Sequence, residues 1–232
     1  MSFWKYLFNI EERRNWWLRD MPECPLRDYY EISFANLEAD WRQVDYLALD
    51  FETTGLNEEK DEIISMGYAT VRGHTLHLSD ATHVLAKPSG ALPESSVVVH
   101  GIMDDRAANA QSLEEALSDL LYSLAGKAML AHHAAIEYHF LSNACQRVYG
   151  YPFIGPVVDT LALEVRTFRS SDRSIRSGDL RLGSARDRYN LPRYPAHNAL
   201  TDAIAAAELF LAQVAYRRGK WSPILRDLTV IS

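Results

Sequence analysis

Chemistry first appears in this sequence at Asp50 and Glu52, two positions apart at the end of the apolar run Tyr46-Leu47-Ala48-Leu49. Residues two apart on an extended strand share a face, so both carboxylates can be aimed at one cation. An ordinary hydrated strand end would use the same pair. Acids that close an apolar strand are costly unless they are hydrated, paired or bound to metal. A further carboxylate, Glu137, lies in Ala131-His132-His133-Ala134-Ala135-Ile136-Glu137, early in an expected helix that follows a short strand. From there it can be turned back across the sheet. The third segment is His197-Asn198-Ala199-Leu200-Thr201-Asp202, with His197 just before the last helix and Asp202 on it. Singly, a loop histidine and a helical aspartate read as surface residues as readily as functional ones.

The elements that must hold these residues follow from periodicity. Tyr46–Phe51 reads as a buried central strand, and Gly55 and Asn57 supply turn chemistry after it. Ile63–Val71 and Thr75–Leu85 read as two more strands joined by a hairpin at Arg72-Gly73-His74. Ser112 caps a helix with an acidic first turn that runs to Leu124. Ala128–Ala131 is a strand and Ala134–Val148 a helix; Val157–Asp159 is extended, and a helix begins at Leu161. Ala199–Tyr216 is alanine-rich and strongly helical. Leading strands followed by alternating helices and short strands predict an α/β fold, a mixed central sheet flanked by helices. In such folds chemistry gathers at strand ends, where the carboxylates lie.

Three segments are expected: an aromatic-rich helical extension over 1–42, the main domain over 43–220 and a tail over 221–232. The extension interleaves Phe3, Trp4, Tyr6, Phe8, Trp16 and Trp17 with charges, which suits packing on its own domain. It equally suits self-association or docking of a protein partner. With 232 residues, 47% hydrophobic and 24% charged, the composition excludes whole-chain disorder. No apolar run reaches the roughly 18 residues of a membrane span, and no secretory leader is evident, so no membrane association and a cytoplasmic location are expected. Cys24 and Cys145 lack metal-site spacing and argue against a disulfide framework.

Taken together, the segments are similar to the DEDDh 3′–5′ exonucleases. This ribonuclease-H-like group includes the proofreading epsilon subunit of bacterial replicative polymerase. Leu47-Ala48-Leu49-Asp50-Phe51-Glu52-Thr53-Thr54-Gly55-Leu56 resembles their first motif, and His100-Gly101-Ile102 matches a further segment. His132 to Glu137 occupies the second motif and His197 to Asp202 the third, with the histidine five before the aspartate. The resemblance implies a ribonuclease-H-like exonuclease fold and hydrolysis at the 3′ end of single-stranded DNA to nucleoside 5′-monophosphates. It further implies two ions, Mg²⁺ or Mn²⁺, about 4 Å apart. Asp50 would bridge them, Glu52, Glu137 and Asp202 would complete the sites, and His197 would deprotonate the water. Thr53, Gly55, Leu56 and His100 would approach the terminal nucleotide, and His133 would contact substrate or cap its helix. The chain departs from the family at Glu137, where Asp is usual, and at His133, where Asn is usual. The added methylene moves the Glu137 oxygens by roughly 1 Å, a displacement that can cost about 10²-fold in rate. Three other functions remain: an exoribonuclease using the same site, a non-catalytic module binding nucleic acid or a partner, and a small-nucleotide phosphodiesterase on the same fold.

A net charge of −7 argues against a duplex binder. Yet between Val165 and Tyr194 the chain carries eight arginines against three aspartates, just before His197. This stretch reads either as a solvated face or as a contact for a substrate strand.

Overall fold

The computed structural model describes residues 9–88, 110–170, 174–216 and 222–231. Strand β1 (Asp45–Thr53) alternates Tyr46 and Ala48 on one face with Leu47 and Leu49 on the other, all buried. A strand apolar on both faces belongs inside a sheet. β1 is third in a six-stranded sheet of order β3-β2-β1-β4-β5-β6. β2 (Ile63–Arg72) and β3 (Thr75–Leu85) are antiparallel neighbours, turned at Gly73, whose φ of +57° is left-handed. β4 (Ala128–Ala131) and β5 (Val157–Asp159) run parallel to β1, and β6 (Thr229–Ile231) pairs antiparallel with β5.

One face of the sheet is covered by α1 (Ile10–Leu18), α2 (Pro25–Glu31), α3 (Leu113–Leu124) and α4 (Ala135–Tyr149). Across the other lies α7 (Ala199–Tyr216), with Leu163 of α5 (Thr160–Ser170) and the short α8 (Leu225–Leu228) beside it. A short helix, α6 (Leu182–Arg188), packs on α7. By length and mean hydropathy, 1.3, α7 could cross a bilayer. Half of it is buried, however, with Phe210 and Val214 packed in the layer of Tyr46 and Ala48, as a core helix requires.

The described part of the aromatic segment packs on its own domain. Tyr29 and Tyr30 are buried, and their hydroxyls donate to the carbonyls of Ile154 (3.2 Å) and Pro152 (2.5 Å). Trp17 meets the Tyr151 ring edge-on at 5.4 Å. Residues 1–8 lie outside the described residues. The end of the chain, expected as a tail, supplies β6. It is also tied to the segment before β1: Trp41 N–H donates to the Pro223 carbonyl (3.1 Å) and Leu225 N–H to that of Ala39 (2.9 Å).

Candidate active site

β1 carries its acids to the edge of the core. Asp50 follows Ala48 on the face beneath α7, and Glu52 lies two further along, where the register with β2 shifts between Glu52 and Thr53. Such bulges re-aim side chains and recur next to active sites. Asp202 comes from the first turns of α7, and ligand oxygens of Asp50, Glu52 and Asp202 all lie within 4.8 Å of one another. Glu137, in the first turn of α4, is outside that trio. It is nonetheless 6% exposed, its Oε2 is buried with no hydrogen-bond partner, and no neighbouring charge acts on Asp50 more strongly.

The electrostatics are those of crowded anions. Burial, then Glu137, Asp202 and Glu52, push the Asp50 carboxyl well above the usual range. Burial and then Asp202 raise Glu52 to about 7. Burial raises Glu137 to about 8, opposed by its own backbone N–H and reinforced by Asp159. Asp202 is raised by burial and partly restored by backbone hydrogen bonds from His197 and Asn198. Close carboxylates that cannot all ionise are a poor way to build a core, whereas a cation relieves both the repulsion and the orphaned Glu137 oxygen. Donors that are all oxygen suit a hard divalent ion.

Local structure fixes each donor. Asn198 caps α7, its Oδ1 accepting the Thr201 N–H at 3.0 Å. The Asp202 Oδ2 accepts the His197 N–H at 2.9 Å, so the histidine and the aspartate are placed by one closed turn. His197 and His133 both have left-handed backbones, φ 67° and 69°. That conformation is uncommon outside glycine, though Asn, Asp and His tolerate it best. It accounts for His133 where the family prefers Asn. The expected cap does not form: no side chain caps α4, and the His133 N–H instead donates to Asp159 Oδ1 at 2.9 Å.

A cleft of about 1040 Å³ opens beside the acids, lined by Asp50, His132, His133, His197 and Asp202 among others. Thr53, Gly55 and Leu56 lie elsewhere, in the turn after β1. The Thr53 hydroxyl donates to the Gly55 carbonyl (2.6 Å), and a side chain at Gly55 would collide with the Asp61 carboxylate. Leu56 is 85% exposed at the tip. His100 lies outside the described residues.

The sequence reading missed Gly67. It pairs with Asp50 across the sheet, and a Cβ there would stand 2.0 Å from the Leu200 backbone nitrogen. Glycine at this strand position is what lets α7 come down onto β1 and β2, bringing Asp202 to the acids. An isolated glycine inside a strand pattern is the only sequence signal for such an approach. Asp159 was also missed as a positioning group: one carboxylate oxygen holds the His133 and the Leu161 N–H groups.

A mixed sheet in this strand order, with acids ending the central strand beneath a long helix, is the ribonuclease-H-like exonuclease fold. Solved structures agree. The nuclease domain of 3′hExo, a DEDDh family member bound to rAMP, superposes with a TM-score of 0.63 at 18% identity, covering 77% of this chain and 96% of that one. E. coli Exonuclease I in complex with a dA16 oligonucleotide gives 0.59 at 15%, covering 80% and 42%. The chain belongs to the RNase_T exonuclease family, which it matches over residues 47–210. It is 34% identical to the PolC-type DNA polymerase III of Thermotoga maritima over 72% of its own length, but spans only 12% of that protein. It is 29% identical to the epsilon subunit of DNA polymerase III of Treponema pallidum, covering 81% of this chain and 82% of that one.

Proposed function

We propose that the chain removes nucleotides from the 3′ end of single-stranded DNA, releasing nucleoside 5′-monophosphates in a divalent-metal-dependent reaction. The observation that carries this is the meeting of Asp50, Glu52 and Asp202 within 4.8 Å at the cleft, with the orphaned Glu137 oxygen beside them. In this reading those four carboxylates hold two Mg²⁺ or Mn²⁺ ions, which when bound activate water and neutralise charge on the phosphoryl and leaving oxygens. His197, exposed at the cleft and fixed through its backbone to Asp202, accepts the water proton on its imidazole. His133, at the cleft, meets the terminal nucleotide; the Thr53–Leu56 turn directly after Glu52, with Leu56 exposed, and His100 are assigned to the same nucleotide on the family resemblance alone. DNA over RNA is supported by relatives that are DNA polymerases and by a structural neighbour solved with dA16. Association with a polymerase is proposed on the same relatives. The neighbour bound to rAMP favours RNA trimming as a second reading.

Digestion of matched, 5′-labelled DNA and RNA strands with and without Mg²⁺ or Mn²⁺ tests the proposal. The expected result is stepwise shortening of DNA that chelation stops and that Asp202→Ala abolishes. Shortening that survives Asp202→Ala, or none with either metal, would overturn it.

A further inference from the structure

Of the eight arginines before His197, Arg173 lies outside the described residues and Arg169 is exposed and does not line the cleft; the other six divide in two. Arg166 donates to the backbone carbonyls of Asp227 and Thr229. Arg186 is 3% exposed and holds the carbonyls of Ala205 and Pro192 together with Glu208. Arg188 pairs with Glu164, and Arg193 forks onto Asp187. These four build the fold. Arg176 and Arg181 are different: both are exposed, neither has a side-chain ion pair among the described residues, and both line the cleft with Asp50, His197 and Asp202.

The loop that carries them is held at adjacent residues. The His132 ring nitrogen Nε2 lies 2.8 Å from the Leu180 carbonyl, and the other nitrogen lies 2.8 Å from the Thr160 hydroxyl. Since a carbonyl only accepts, Nε2 carries the proton. The Arg188 guanidinium donates to the Asp179 carbonyl at 2.7 Å. Asp179 accepts the backbone N–H of Arg176 on its Oδ2 at 2.8 Å and makes no ion pair with either guanidinium among the described residues. His132 also precedes α4, which carries Glu137. The backbone that carries the two guanidinium groups is thus tied to the end of β4 and to α6, while the groups themselves project into the cleft.

We propose that Arg176 and Arg181 form a phosphate-binding subsite for the nucleotides leading into the cleft, with His132 as its positioning residue; this rests on the nuclease reading above. The acids leave the site hostile to a polyanion, and a guanidinium fork matches phosphate geometry. An acidic protein therefore grips a strand through phosphates away from the scissile bond.

The test compares wild type with Arg176→Ala/Arg181→Ala on two substrates: a single-stranded dT oligonucleotide, and the p-nitrophenyl ester of thymidine 5′-monophosphate, which has one phosphodiester and no preceding phosphates. The expected result is a KM about tenfold higher on the oligonucleotide at similar kcat, with the ester cleaved within about twofold of wild type. Fluorescence anisotropy with the same oligonucleotide, without divalent metal, should show a log K against log salt slope shallower by about 1.4, roughly 0.7 for each lost contact. Arg176→Lys/Arg181→Lys should keep that slope while binding more weakly. Equal losses on both substrates, or an unchanged KM and slope, would overturn the subsite. If wild type cleaves neither substrate, the nuclease reading fails by itself, and the anisotropy still decides the subsite.

Discussion

Gly67→Ala should disable the site while leaving the fold in place. The new Cβ would lie 2.0 Å from the Leu200 nitrogen and 2.2 Å from the Ala199 carbonyl carbon. Ordinary contact begins near 3.4 Å, so the first turn of α7 must lift by about 1.4 Å. Asp202 lies two residues beyond Leu200 and moves with it. Its oxygens, now within 4.8 Å of those of Asp50 and Glu52, would then stand up to about 6 Å from them. Two oxygens that share one Mg²⁺ at about 2.1 Å each can be no more than about 4.2 Å apart. Oxygens pushed toward that limit no longer share one ion well, and a displacement of this size costs about 10²-fold in rate. Overpacking should also destabilise by about 1–3 kcal/mol. The assay is a metal titration of nucleotide release from a 5′-labelled strand, with a thermal melt on the same preparation. A folded Gly67→Ala protein with wild-type turnover and a wild-type metal midpoint would refute the reasoning.

Raised carboxylates also make the metal-free protein sensitive to base. Glu52 and Glu137 move from 4.5 to about 7 and about 8, so the folded chain keeps protons that the unfolded chain releases. Their contribution is present below about pH 4.5 and is lost as pH rises through 7 to 8; the thermal midpoint should fall between about pH 5 and pH 9. Mg²⁺ or Mn²⁺ should oppose that fall, and Glu137→Gln should remove its upper part while abolishing metal-dependent cleavage. A flat melting profile would contradict the assigned burial. At His133, with φ 69°, His133→Asn should melt within about 0.5 kcal/mol of wild type. A β-branched His133→Val should cost about 1–2 kcal/mol by the same measurement.

Much of the framework is legible in sequence because it is locally encoded. The Tyr46–Phe51 run, the hairpin at Gly73 and the Ser112 cap each appear close to where they were expected. The helix over Leu182–Arg188 and strand β6 were not legible. The first is a short polar turn, and the second has three residues that become a strand only by pairing with β5. At the site, Asp50 and Glu52 share a face as their spacing implied, Asp202 meets them as the family resemblance implied, and Glu137 adjoins the trio without joining it. Arginine gave the least warning of its task. The same guanidinium satisfies a buried carbonyl at Arg186 and, among the described residues, has no ion pair in the cleft at Arg181. Gly67 could not be weighed before α7 was known to cross it.

The clasp between the segment before β1 and the last strand has a topological consequence. Asp40 bridges Ile224, and the Arg42 guanidinium donates to the Ser222 hydroxyl at 2.7 Å, although some 180 residues separate the partners. The segment before β1 and the last strand therefore join the sheet at one seam. A unit whose two ends are joined in space can be spliced into a longer polypeptide at a single surface point without stretching the sheet. The same architecture can then make up most of one polypeptide or a small part of another, as the spans matched in the epsilon and PolC-type relatives, 82% and 12%, illustrate.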